Sequence, residues 1–151
     1  SIYNTFVGGG VCFLRGGGGG PPGGGGAPPT AGGGGTSYSM LQTMGEAYKV
    51  AMLRGCRPTA HELFHLATRG NARRLGLDDQ IGSLEPGRWA DVLVLDPVAT
   101  PVLAARNELS ANLEEKLFAL AILGDDRAVR ATYVAGRRVW LAEPVGDPAD
   151  S

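Results

Sequence analysis

The sharpest chemical motif in this chain is a glutamate between two histidines, His61-Glu62-x-x-His65. On a helix, residues four apart share a face, so both imidazoles could bind one zinc ion while Glu62 polarises a bound water. Zinc hydrolysis also needs a third protein ligand; the chain has no third histidine, and the downstream candidate Glu85 stands in a Leu-Glu-Pro-Gly turn. Thr59 and Glu62 also form a capping-box pattern at a helix N-terminus. A packing helix is therefore the favoured interpretation, and a zinc hydrolase is the alternative.

A second candidate site is the run of glycines at residues 32–35 together with the helix start that follows it. Consecutive glycines let a ligand approach the backbone closely, and Thr36, Ser37 and Ser39 are residue types that cap helix N-termini. The loop carries no carboxylate, histidine or cysteine, and it lacks the lysine and the preceding strand of a phosphate-binding loop. Taken alone, these residues favour a structural turn.

The elements that would position these segments follow from hydrophobic periodicity and from glycine and proline breaks. Met40, Leu41, Met44 and Ala47 recur at helical steps, which predicts one buried face. The predicted elements are a helix over residues 39–54 ended by Gly55, a helix opened by Pro58 and Thr59 that breaks near Gly70, a short helix over residues 72–75, a strand-turn over residues 81–87, a buried strand over residues 90–96, a helix that includes Leu113 and stops at Gly124, and a hairpin of residues 129–134 and 137–141 joined at Ala135-Gly136.

Composition and charge exclude several classes of protein. The chain has 151 residues, the size of one ordinary domain, and 43% of them are apolar, which is enough for a core. A net charge of −1 gives no reason to expect binding to nucleic acid or to an anionic membrane. Cys12 and Cys56 are too few and too unpatterned for a disulfide framework, and no apolar run suits a membrane span or a signal peptide. We expect a cytoplasmic protein.

Glycine is distributed very unevenly. Of the 25 glycines, 16 precede Thr36. Because a Gly- and Pro-rich sequence has almost nothing to bury, we expect residues 16–35 to form a flexible tract and the polar tail, residues 142–151, to be disordered.

Several segments together resemble the C-terminal part of guanine deaminases, which are zinc enzymes of the amidohydrolase superfamily. Pro-Gly-x-x-Ala-Asp at residues 86–91 and Val-x-Gly-x-x-Val at residues 134–139 are shared across that superfamily, whereas the Gly-Thr-Ser helix start at residues 35–37 and Gly-Asp-Asp-Arg at residues 124–127 point to the guanine branch. The resemblance covers about residues 33–141, including Glu-Ala-Tyr-Lys-Val at residues 46–50 and Leu-Ala-Thr-Arg-Gly-Asn-Ala at residues 66–72.

This resemblance implies an α/β fold: the last units of a (β/α)8 barrel plus the C-terminal strands of a small β-sandwich. The family hydrolyses guanine to xanthine and ammonia with a metal-activated water, and a homodimer is possible by family. The implied organisation is a remnant of a barrel strand and loop at residues 1–15, the glycine tract at 16–35, barrel helices at 36–80, sandwich strands with an inserted helix at 81–141, and the tail at 142–151.

The resemblance places the family's metal-binding histidines and catalytic glutamate upstream of this sequence. One metal-binding aspartate should precede the glycines, and Ala31 stands at its position. Alanine cannot bind zinc, so we assign no catalytic residue and no metal ligand here, leave the substrate-binding residues open, and expect the chain alone to bind no zinc and to be inactive. The glycine tract suggests a stretch read out of frame. A non-catalytic amidohydrolase-like binding module is a further alternative, beside the zinc hydrolase of His61, Glu62 and His65.

Overall fold

The structure, a computed structural model, describes residues 37–142. Helices and a small antiparallel sheet share these residues. In chain order the elements are α1 (Met40–Leu53), α2 (Ala60–His65), a π-helical turn (Leu66–Gly70), α3 (Asn71–Arg74), β1 (Val92–Leu95), α4 (Pro101–Glu108), α5 (Leu113–Leu123), a 3-10 turn (Asp126–Ala128), β2 (Val129–Val134) and β3 (Arg137–Leu141).

Helix α1 begins and ends where its sequence predicts. The side chain of Ser39 accepts a hydrogen bond from the backbone N–H of Gln42, which satisfies one of the free donors of the first turn. Gly55 follows the helix with φ +75°, a conformation that glycine adopts without a Cβ penalty. The predicted first helix is therefore confirmed to within one residue at each end.

The second helical segment is longer than predicted. Gly70 has helical dihedrals (φ −62°, ψ −41°), and the backbone runs from α2 through the π-helical turn into α3. The predicted break near Gly70 is therefore wrong. A Cβ at Gly70 would lie 3.3 Å from the carbonyl oxygen of His65, so glycine relieves crowding in the wide turn here. The short helix that follows is confirmed within one residue, and Gly76 after it has φ +67°.

The three strands form one antiparallel sheet in the order β1-β2-β3. The predicted hairpin is confirmed: Ala135 (φ 49°) and Gly136 (φ 76°) form its two-residue turn, whose positive φ angles match the twist of the flanking strands. The first strand is shorter than predicted and only half-buried, with Val94 41% exposed, so its predicted full burial is wrong. Leu95 of this strand packs against the helical core, whereas the neighbouring Val94 lies on the opposite face, because successive side chains of a strand alternate.

The strand-turn predicted over residues 81–87 is correct only in its turn. The backbone there consists of bends and turns, and both Gly82 (φ +88°) and Gly87 (φ +89°) have positive φ. Two such residues within seven prevent a continuous extended strand. Ile81, the first residue of the predicted strand, instead lies in the interior, where it is 6% exposed.

Helix α4 is absent from the sequence prediction, whereas α5 is confirmed. The missed signal is Thr100-Pro101. The Thr100 hydroxyl accepts a hydrogen bond from the backbone N–H of Leu103, and a proline in the first turn loses no helical hydrogen bond. Leu103 is fully buried and anchors α4 to the core.

The core lies where α1, α2, α4 and α5 meet. Tyr48 of α1 and Phe118 of α5 meet edge to face, with ring centroids 5.1 Å apart and planes at 81°. Gly45 lets the two backbones approach closely, since a Cβ there would lie 3.2 Å from the carbonyl oxygen of Ala121. One core thus contains helices from both sides of residue 80. The predicted domain boundaries themselves stay a prediction.

Several predictions fall on residues outside 37–142: the barrel remnant at 1–15, the glycine tract at 16–35 with Ala31, and nearly all of the C-terminal tail. Within the described part of the chain, no helix is long and apolar enough to cross a bilayer.

Candidate functional site

The glutamate of the His-Glu-x-x-His motif is engaged at the helix start. Oε2 of Glu62 accepts hydrogen bonds from the backbone N–H of Thr59 (2.7 Å) and from its hydroxyl (3.0 Å), while the hydroxyl accepts from the Glu62 N–H (3.2 Å). The predicted capping box is confirmed. The backbone N–H of Thr59, together with its hydroxyl, holds the pKa of Glu62 below its ordinary value.

The two histidines have different surroundings. His61 contacts the carboxylate of Glu114 through Nδ1, and the other oxygen of Glu114 accepts from the backbone N–H of Ala60 at 2.8 Å. His65 is the last residue of α2 and is exposed. Among residues 37–142, no three histidine, cysteine, aspartate or glutamate side chains come together in a group that could hold a metal ion. The described residues therefore do not fit a zinc centre by themselves.

A large open cleft of about 660 Å³ lies between the start of α1, the π-helical turn, the loop at residues 81–84 and the sheet. Ser37, Tyr38 and Ser39 line the cleft just before α1 begins, and Tyr38 is 98% exposed. The deeper walls are largely apolar, and Asp91, Asp126 and Thr132 are among the polar residues of the lining. The apolar lining includes Met40, Leu41, Met44, Phe64, Leu93 and Leu95.

An ion-pair cluster holds the loop that closes one side of this cleft. Arg88 donates from Nε to Glu85 (2.7 Å) and from its guanidinium to the carbonyl oxygen of Asp78, and Arg69 of the π-helical turn donates to Glu85 at 3.2 Å. The hydrogen bond from Arg88, followed by the positive charge of Arg69, lowers the pKa of Glu85. The loop is therefore tied to the helical layer, with Ile81 and Leu84 facing the cleft.

The two superfamily-wide motifs meet beside the cleft. Oδ1 of Asp91, the last residue of Pro-Gly-x-x-Ala-Asp, accepts a hydrogen bond from the backbone N–H of Ala135 in the hairpin turn (2.8 Å). The N–H of Gly136 donates in turn to the carbonyl oxygen of Ala90 (2.9 Å). Ala135 and Gly136 both have positive φ angles, and this conformation is compatible with their successive N–H groups donating to Asp91 and Ala90. Both motifs thus act together to fix the hairpin against the start of β1.

The Gly-Asp-Asp-Arg segment makes a compact turn before β2. Asp125 accepts from the backbone N–H of Arg127 (3.0 Å) and from its guanidinium (2.6 Å to Oδ2). The hydrogen bond from the Arg127 side chain lowers the pKa of Asp125 and raises that of the guanidinium. Asp126, the next residue, lies in the cleft wall.

A family model described as the amidohydrolase family matches residues 26–140 of this sequence. The chain belongs to the amidohydrolase family. The match spans most of the chain and contains every element described above except Leu141, the last residue of β3.

This amidohydrolase chain is similar to guanine deaminases from bacteria and mammals. It is 52% identical to guanine deaminase of Escherichia coli over 105 residues, which are 70% of this chain and 24% of that protein. It is 33% identical to human guanine deaminase over 112 residues, 68% of this chain and 25% of that protein. The chain therefore spans about a quarter of the length of these relatives.

Solved structures agree with this relationship. The structure of E. coli guanine deaminase matches with a TM-score of 0.70 and 50% identity, covering 72% of this chain and 26% of that one. Guanine deaminase from Bradyrhizobium japonicum matches with a TM-score of 0.65 and 28% identity, covering 72% of this chain and 29% of that one. The resemblance proposed from the sequence motifs is thus confirmed, and the fold fits part of a metal-dependent hydrolase domain.

One predicted segment lies at the cleft, whereas one contact near the histidine motif was not predicted. The helix start at Ser37 and Ser39 does line a cleft, and Ser39 also caps α1. Sequence reasoning missed the contact of Glu114 with the start of α2, which joins residues 54 apart. An acidic residue in the first turn of α5 was visible in the sequence, but its partner depends on how the two helices pack.

Proposed function

We propose that the complete protein to which this sequence corresponds is a guanine deaminase, which hydrolyses guanine to xanthine and ammonia, and that this chain supplies about its C-terminal quarter. The observation that supports the proposal most strongly is the 52% identity to the E. coli enzyme over 105 residues. In the same proposal, α1 to α3 belong to the last units of a (β/α)8 barrel and the three strands belong to a small β-sandwich.

We assign no catalytic step to the described residues. Because they do not bring three metal-binding side chains together, the zinc ligands and the catalytic groups of the complete protein would come from other parts of it. Ala31, at the position of the family's metal-binding aspartate, supplies neither a ligand nor a proton acceptor. This chain would then supply part of the fold of the complete protein. By itself it would bind no zinc and would be inactive.

A chimera tests the proposal. In E. coli guanine deaminase, the segment that aligns with residues 37–140 is replaced by those residues. We expect ammonia release from guanine, whereas the same host with its segment deleted should release none. A chimera that folds and binds as much zinc as the host but leaves guanine intact would contradict the proposal and favour the non-catalytic binding module instead.

The His61, Glu62 and His65 zinc hydrolase stays an alternative of lower merit, because Glu62 is held by Thr59 and His61 contacts Glu114. Guanine as substrate, a homodimer, a cytoplasmic location and the lack of nucleic-acid or membrane partners are parts of the proposal for the complete protein.

A further inference from the structure

The cleft beside α1 has an apolar interior that is open on one side. Its volume of about 660 Å³ lies within the roughly 300–1,000 Å³ range of pockets that enclose small ligands, so it holds several side chains but not a folded domain. An exposed apolar surface of this kind is stabilised when other apolar groups cover it. Leu84, 79% exposed, stands in the cleft lining.

The described chain starts in the wall of this cleft. Ser37 and Tyr38, its first two residues, both line it. The 36 residues that precede Ser37 in the sequence are therefore joined to the described chain at the cleft wall.

Those preceding residues contain one apolar segment. Residues 2–14 carry no charged side chain and include Ile2, Phe6, Val7, Phe13 and Leu14. Residues 16–35 are mainly glycine and proline and offer no large apolar side chain. The C-terminal residues 143–151 contain one glutamate and two aspartates, which would be repelled by the carboxylates in the cleft lining.

We propose that residues 2–14 of this chain bind in the cleft, with Phe6 and Phe13 inserted among its apolar walls. The linker between this segment and the cleft is long enough to let the segment reach it. Residues 15–36 number 22, and a glycine-rich chain of that length has an end-to-end distance of about 25 Å. Because the segment belongs to the same molecule, its effective concentration at the cleft is far above that of a free peptide. The inference does not depend on guanine chemistry.

Photo-crosslinking of the full 151-residue chain tests this. A benzophenone-bearing phenylalanine replaces Phe6 or Phe13, and Val145 in the C-terminal tail carries the control probe. We expect the first two probes to attach within the same molecule to cleft residues such as Met40, Met44 or Leu84, at a yield independent of protein concentration. Attachment scattered over the surface, or a yield that rises with protein concentration through links between two copies, would overturn the proposal.

A pair of variants makes the test specific. Leu84→Asp places a charge in the cleft lining at an exposed position, where the fold tolerates it, and should abolish the crosslinks from Phe6 and Phe13. Leu109→Asp is the matched control, since Leu109 is 76% exposed and lies outside the cleft lining; it should leave the crosslinks unchanged. Equal yields in the two variants would contradict the proposal. The probes in the unaltered chain test it even if a variant misfolds.

Discussion

At the scale of single residues, Thr59 and Glu62 show how one pattern supports two chemistries. Glu62 belongs both to a zinc-hydrolase motif and to a capping box, and the structure assigns its carboxylate to the free N–H of Thr59. That N–H has no intrahelical partner, so a nearby carboxylate is stabilised both by the hydrogen bond and by the helix dipole. Glu114 acts in the same way on the N–H of Ala60.

Removing the cap should weaken α2. Thr59→Ala deletes the hydroxyl that accepts from the Glu62 N–H, and loss of such a cap costs about 1 kcal/mol. We expect a lower urea-unfolding midpoint for the 151-residue chain. Thr59→Ser, which keeps the hydroxyl, should stay close to the parent; equal losses in both variants would show that the cap is not responsible.

The cluster around Glu85 predicts a pH dependence. Arg88 and Arg69 hold the pKa of Glu85 below its ordinary value of 4.5, so the folded protein binds this proton less readily than the unfolded chain. The stabilisation is therefore present above pH 4.5 and is lost as the pH falls through the folded-state pKa. Glu85→Gln should lower the unfolding midpoint at pH 7 and change it less at pH 3, which lies below the ordinary pKa of 4.5.

Glu108→Gln is the control for that measurement, since it removes an exposed carboxylate at the end of α4, outside the Glu85 cluster. A loss of stability in Glu85→Gln that is the same at both pH values would argue against the ion pairs as its cause.

At the scale of elements, the loop between α3 and β1 is shaped by close packing on the helical layer. A Cβ at Gly82 would lie 2.7 Å from the Cβ of Ala72 and 3.1 Å from the Cα of Arg69. Gly87 has nearly the same φ, but nothing lies within 4 Å of its Cβ position. The two glycines therefore separate backbone strain from steric exclusion.

Alanine at each of these glycines should have unequal effects. Gly87→Ala adds only the strain of a positive φ, about 1–2 kcal/mol. Gly82→Ala adds the clash with Ala72 as well, and overpacking of this kind costs about 1–3 kcal/mol more. Denaturant unfolding of both variants measures the difference, and an equal loss at the two positions would refute the close contact of this loop with α3 and the π-helical turn.

At the scale of the whole molecule, the chain combines a helical core with a sheet whose last strand is exposed throughout. Val139, Trp140 and Leu141 are each about half exposed or more. An edge strand of this kind readily pairs with a further strand, and the chain spans about a quarter of its guanine deaminase relatives. In the proposal for the complete protein, parts outside this sequence complete the active site.

A substitution at position 31 tests whether Ala31 stands where the family has its metal-binding aspartate. In the 151-residue chain, Ala31→Asp should leave guanine deamination at background, because one carboxylate without other ligands cannot form a zinc site. In a chimera of E. coli guanine deaminase that carries this chain from residue 31 onward, aspartate at position 31 should give guanine deamination. Alanine at position 31 should not. Ammonia release measures both. If the chimera with Ala31 is as fast as the one with aspartate, our assignment of the position is wrong.

Local sequence signals were enough to predict most of the helix ends, the hairpin and the family. Ser39, Thr59 and Gly55 set helix ends through hydrogen bonds and dihedral preferences that depend only on neighbouring residues, and Ala135-Gly136 fixed the hairpin in the same way. The motifs at residues 86–91 and 134–139 indicate the amidohydrolase superfamily, whereas those at residues 35–37 and 124–127 point to guanine deaminases, in agreement with the similarity to the E. coli enzyme.

Which distant residues meet depends on tertiary packing. The contact of Glu114 with the start of α2, the pairing of Asp91 with the hairpin turn, and the cleft between α1 and the sheet each join segments far apart in the chain. Gly70 is likewise helical although glycine has a low helix propensity. Such contacts depend on how helices and strands pack, and local periodicity carries no information about the partner that packing will supply.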